Sequence, residues 1–288
     1  MSDSVSTRVI TKIVAAFIVA AAAVVVFSGF GIKASAAELI APRFKAEQTY
    51  ETEYSHPYNR QTNTIYLHWY GMTNAVKYEI YIAGGRYSGW HKYMETNGTA
   101  CAITGLDRAT TYKFTARAVL RNGGYSYFAT PQYIKTARFN YDADGWEAMC
   151  RIVYHEVGGI DDSMWDEPIV YVADCVSNRY TCARYAPQTI WYSWYRNYAN
   201  VQQMIYNSGE FMSSYGLSRD GANYSRVPTK VKLAVWGATY AKVTYKGIVN
   251  DCNVFFWCNT GYSTSSSKIA YSYRIPWGYF YIWRSYWG

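Results

Sequence analysis

A change of hydrophobic rhythm near residue 138 limits what this chain can fold into. From Pro42 to about Ala137, apolar and polar residues alternate in short runs broken by Gly and Asn: "NTIYLHW", "AVKYEIYIAG", "TACAITGL" and "TYKFTARAVLRNGG". Beyond residue 138 apolar residues recur every three to four positions. A period of two puts alternate side chains on opposite faces of a strand, and a period near 3.6 gathers them on one face of a helix. A run of strands followed by a run of helices points to two separate domains. The 288 residues therefore predict a multidomain chain: an all-β sandwich over 41–137, then a mainly α (α+β) domain over 142–288.

The N-terminus predicts export. Arg8 and Lys12 precede an apolar stretch from Ile13 to Phe27, and Ala34-Ser35-Ala36 makes a small-residue cleavage site, so residues 1–36 read as a signal peptide. An uncleaved anchor is the rival, since the apolar stretch is nearly long enough to span a bilayer. After cleavage no stable membrane association is expected, and the protein is placed outside the cell, at the wall or cell surface. The net charge of +8 is concentrated in the first half, with 12 basic and 7 acidic residues over 37–138. That excess suits an anionic polymer or surface and is equally compatible with an ordinary solvated face. No nucleic-acid partner is expected.

Six cysteines leave the pairing open by count alone. Cys175 with Cys182 is the closest plausible bridge, Cys252 with Cys258 would need a turn, and Cys150 reads as a buried thiol. Tyrosine is abundant at 32 residues, with 11 tryptophans; such rings bury well and also line wet sugar-binding surfaces.

In the second half "DADGWEAMCRIVYHEVGG" opens with Asp144 and Glu147 at capping-box spacing and stops at Gly158-Gly159. A second helix is expected within "DDSMWDEPIVYVADCVSNRY", with Pro168 in its first turn. Two more are expected near Asn200–Tyr206 and Pro228–Tyr240. The aromatic end reads as strand and loop, with "NTGYSTSSSK" a polar loop.

Glu156 is the one chemically unusual residue. It lies seven, four and three residues after Met149, Ile152 and Val153, so all four share a helix face that should point inward. Lost hydration and the negative end of the helix dipole would both raise its pKa, as a general acid needs. The structural alternative is an acid paired with a buried arginine such as Arg179. Other chemistries are disfavoured. A zinc enzyme wants several histidines and this half has only His155; no histidine follows Cys175, Cys182, Cys252 or Cys258; GxSxG and phosphate-loop motifs are missing. No cofactor or metal is expected.

Two resemblances extend this reading. In the first half Trp69 closes an early strand, Tyr78 falls in "KYEIYI", and Leu106 stands six residues before Tyr112. These positions resemble a fibronectin type III domain, which implies a spacer or binding module and leaves open a contact with the wall surface. In the second half "RIVYHEVGG", "VSNRY", "MIYNSGEFMS", "VFFWCN" and "RIPWGYFYIW" follow one another in an order that resembles the SleB-like cell-wall hydrolases of the spore-cortex-lytic family.

That second resemblance implies a lysozyme-like fold, Glu156 as catalytic acid, and peptidoglycan glycan strands as substrate. Cleavage would follow a lytic transglycosylase or muramidase course. Tyr154, Tyr206, Glu210, Phe211, Asn259 and Tyr279 are the candidates for binding the glycan, since aromatic faces pack on sugar rings and amides bond N-acetyl groups. The sequence departs from the family pattern at Gly158 and Ile160, which stand where the family has an arginine and a second glutamate, and at Glu210 and Tyr279, which replace a glutamine and a histidine. Glu210 offers either a second carboxylate for a water-using reaction or a support for its loop. The competing expectation is a non-catalytic glycan-binding or adhesion protein.

Overall fold

The computed structural model describes residues 40–45, 61–157, 166–211, 223–241, 256–258, 269–275 and 278–283. The expected signal peptide and the polar segment 259–268 lie outside the described residues.

The first half folds as two antiparallel sheets. One is ordered β1 (Arg43–Phe44), β2 (Ile65–Tyr70), β5 (Ala100–Ile103). The other runs β4 (Tyr87–Thr96), β3 (Ala75–Gly84), β6 (Thr111–Leu120), β7 (Gln132–Lys135). Alternation does the work here: Ile65, Leu67 and Trp69 of β2 are buried, as are Tyr78, Ile80, Ile82 on β3 and Phe114, Ala116, Ala118 on β6. Register places Ile80 opposite Ala116 and Ile82 opposite Phe114, so the second pair sets a β-branched side chain against an aromatic ring. Trp69 packs edge-on against Tyr78 with ring centroids 5.3 Å apart. Three strands facing four is the fibronectin type III-like sandwich that Trp69, Tyr78 and Tyr112 pointed to. The Tyr112 hydroxyl accepts from Asp107 N at 2.8 Å and donates to Asp107 Oδ2 at 3.0 Å, with Leu106 buried beside it, the geometry of a tyrosine corner. Gly85 belongs to this corner: at φ +55° a Cβ would stand 2.5 Å from the Tyr112 ring, so only glycine fits the turn beneath it. Strand β4 has no alternating signal in the sequence because it is an edge strand exposed along most of its length.

The second half holds five helices among the described residues: α1 (Ala143–Val157), α2 (Asp166–Tyr185), α3 (Ile190–Tyr195), α4 (Val201–Asn207) and α5 (Thr229–Tyr240). A small antiparallel sheet, β8 (Phe256–Cys258), β10 (Gly278–Trp283), β9 (Ile269–Ile275), completes it. The expected mainly α, α+β architecture is present at this level. The cap of α1 differs from expectation. Asp142, not Asp144, does the capping, its Oδ1 accepting from Gly145 N at 2.7 Å, because the helix begins two residues earlier than the acidic pair suggested. Helix α2 is buried on every side from Pro168 to Ala183, which makes it the central rod of this half. The expected Cys175–Cys182 bridge does not form. Both are buried on α2 outside any disulfide, and seven residues of helix separate their Cα atoms by about 10 Å, beyond disulfide reach. Cys252 lies outside the described residues.

Separate cores serve the two halves, one from Ile65 to Leu120 and the other from Ala137 to Ile282. Both belong to a single compact unit, Ala41–Gly288, joined by a dense seam. Ala137 N donates to Gln61 O at 3.0 Å and Arg138 N to Thr239 O at 2.9 Å. Gln61 Nε2 reaches Tyr141 O at 3.1 Å, Arg108 Nη1 reaches Arg138 O at 3.1 Å, and Lys135 Nζ reaches Ala241 O at 3.3 Å. Residues 137–141 are thus a fixed strut, with both neighbours bonded to its backbone.

Candidate active site

Glu156 sits in the last turn of α1. On the helical wheel it lies within about 20° of Met149, in the middle of the buried stripe. Its angular position is as the sequence implied, yet the side chain is half-buried while Met149, Ile152 and Val153 are fully enclosed. This corrects the expectation of an inward-pointing acid. Val157, the last residue of the helix, is 1 % exposed.

Tyr154 and Tyr206 are partly buried and pack against the helical core. Tyr206, on α4, has its phenol pKa raised by burial, opposed by the positive charge of Arg151 and reinforced by Glu147 and Asp144. These three residues place Tyr206 beside the face of α1 opposite Glu156.

The expected groove role of Phe211 is not supported. It is 2 % exposed, with the Arg179 guanidinium 5.1 Å from its ring centroid, so a sugar cannot reach its face. Arg179 lies equally close, at 5.1 Å, to Trp191 of α3, which stacks on Tyr195 at 5.7 Å and 14°. The pKa of the Tyr195 hydroxyl is raised chiefly by burial; Arg179 opposes the shift and the negative charge of Glu210 adds to it. This hydroxyl faces Arg179 without a hydrogen bond of full geometry. Glu210 is exposed, and its backbone N donates to Ser208 Oγ at 3.3 Å. Two sequence landmarks far apart in the chain, Asn178-Arg179 and Glu210-Phe211, therefore meet in one aromatic nest. Its arginine is held by ring faces, where a planar guanidinium binds best.

The other residue of the first landmark turns the opposite way. Asn178 is fully buried; its Nδ2 donates to Asp174 Oδ2 at 3.2 Å and its Oδ1 accepts from Arg138 Nη2. Sequence reasoning did not single out Asp174, Arg138, Trp191 or Tyr195. The buried acid in the middle of an apolar helix was the available signal for Asp174.

Tyr279 is 49 % exposed on β10, and its ring stacks on Tyr281 at 5.9 Å. It presents a free aromatic surface, as a sugar-stacking residue would, on an element different from Glu156. Asn259 lies outside the described residues. Among the described residues no cluster of three or more His, Cys, Asp or Glu could hold a metal ion, and no helix is long and apolar enough to cross a membrane.

No protein-family model matches the chain, and no curated protein matches it. Solved structures do. A myokine is 17 % identical over 34 % of this chain and 97 % of its own, with a TM-score of 0.27. A fibronectin type III-like protein of Clostridium thermocellum is 17 % identical over 33 % of this chain and 91 % of its own, also at 0.27. The fibronectin type III domain of human collagen XX is 13 % identical over 34 % of this chain and 96 % of its own, at 0.25. Each is similar to about a third of the chain.

Proposed function

We propose that the protein is an exported enzyme that cleaves the glycan strands of peptidoglycan, as a lytic transglycosylase or muramidase, with Glu156 as the proton donor. On this reading the second half is a SleB-like, lysozyme-like catalytic domain and the fibronectin-like half is a rigid module that can touch the wall surface. The observation that carries the proposal is the place of Glu156: a half-buried carboxylate in the centre of an apolar stripe whose other members are enclosed. The joining of two landmarks through Arg179 and Phe211 adds support.

Glu156 would protonate the glycosidic oxygen as the bond to the anomeric carbon breaks. As a carboxylate it would then take a proton from the attacking hydroxyl. If the C6 hydroxyl of the muramic residue attacks, the product is a 1,6-anhydro sugar; if water attacks, it is a reducing end. The first route needs no second carboxylate, because the substrate supplies the nucleophile.

The test is digestion of purified peptidoglycan with the protein and with Glu156→Gln, read by mass spectrometry. The variant should release soluble muropeptides at least about a hundredfold more slowly. Equal release by both sinks the assignment. The exposed aromatic rings, Tyr279 among them, favour a second reading as a glycan-binding or adhesion protein. It predicts saturable retention on insoluble wall with no new glycan ends from either form.

A further inference from the structure

A pocket of about 290 Å³ opens at the other end of α1, bounded by the strut residues 139–142, the end of α2 and residues 199–200. Glu156 lies fourteen positions beyond Asp142, about 20 Å along the helix axis, so the pocket is separate from the proposed proton donor. We propose that this pocket binds one uncharged pyranose ring, as a holding site for a sugar of a longer glycan.

The lining supports that class of ligand. Tyr180, 4 % exposed, forms part of the floor, and Tyr185, 44 % exposed, offers an aromatic wall. The first half of the chain helps to build this wall: the Arg108 guanidinium lies 4.0 Å from the Tyr185 ring centroid and donates to Arg138 O, which fixes the ring against the seam. Polar groups of both kinds face the same space. Asp142 Oδ2 accepts from Asn200 Nδ2 at 3.4 Å, a long bond that leaves the oxygen able to accept a hydrogen bond from a hydroxyl. Arg184 is held in place by Tyr180 Oη at 3.1 Å and by the carbonyl of Tyr198; its five N–H groups exceed the bonds it makes there.

A carboxylate and a guanidinium in one pocket oppose any ligand with a net charge. They suit a ring whose hydroxyls both donate and accept while its C–H face rests on a tyrosine. The volume sits at the lower edge of small-molecule sites, about 300 Å³, and so admits one sugar ring. This assignment does not depend on the chemistry proposed for Glu156.

The test titrates the full chain with the β-1,4-linked N-acetylglucosamine trimer and follows the side-chain amide signals of Asn200 by nuclear magnetic resonance. Wild type and Glu156→Gln should show the same saturable shift. Tyr185→Ala and Arg108→Ala should weaken it about tenfold or more, with thermal midpoints reporting that each variant is folded. An unsaturable response in wild type, equal affinity in Tyr185→Ala, or tighter binding of glucuronate than of the neutral trimer overturns the proposal. Loss of cleavage in Glu156→Gln with an intact Asn200 shift supports both readings. An intact shift with no cleavage by any form rejects the catalytic one alone.

Discussion

Arg138 Nη1 lies 2.8 Å from Asp174 Oδ1, and both side chains are almost completely buried. Arg138 belongs to the strut that leaves the sandwich, and Asp174 to the central helix of the second half. Arg138 also donates to Ala238 O at 3.2 Å and to Asn178, so one guanidinium ties the strut to two helices. A buried pair of this kind is costly to break, because the partner left behind is an unpaired charge.

Arg138→Ala should therefore destabilise the protein by about 3–5 kcal/mol in chemical denaturation. Arg138→Met combined with Asp174→Leu should recover more than half of that loss, since it removes both charges together. If the single variant unfolds at the wild-type denaturant concentration, the strut is not clamped by this pair.

The tyrosine corner gives a second measure. Tyr112→Phe removes the hydroxyl that bonds Asp107 twice and keeps the buried ring. The expected cost is about 1–2 kcal/mol. A loss confined to the sandwich would appear as an earlier transition in the hydrogen exchange of β6 while α2 keeps its protection.

Glu79 makes acid stability predictable. Burial alone would raise its pKa, but hydrogen bonds from Lys92, Arg117 and Tyr81 outweigh this and hold the carboxyl at about 2. A folded-state value below the unfolded one contributes stability that is fully present above about pH 4.5 and is lost as pH falls toward 2. Unfolding free energy should drop across that window in wild type, with a shallower slope in Glu79→Gln. Identical slopes would show that the carboxylate is not held as described.

The thiols should be inert in the folded state. Burial pushes Cys101 up to about 12, and it raises Cys150 and Cys175 as well. Iodoacetamide at pH 8 should label none of these appreciably in the native protein and all of them in denaturant, since the thiolate is the reactive form. Non-reducing peptide maps should contain no Cys175–Cys182 cross-link; finding one would contradict the two turns of helix between them.

Much of the helical half was readable in advance. Helices near Asn200 and Pro228 begin within a residue of the expected positions, because Asn200 caps α4 through its bond from Gln203 N and Pro228 fits just before the first turn. Helix α3 was missed because six residues, "IWYSWY", are too few to display a helical period.

The sequence by itself determined which residues turn inward: alternation buried Ile65, Leu67 and Trp69, and a 3.6-residue spacing aligned Met149, Ile152, Val153 and Glu156. These are local properties of backbone geometry, legible in one segment. Only the tertiary structure decided how deep each residue lies. Glu156 is half-buried although Met149, Ile152 and Val153 on its face are enclosed, and Phe211 is enclosed because Arg179 and the aromatic nest from another part of the chain close over it. Depth depends on neighbours distant in sequence, and no local period records them.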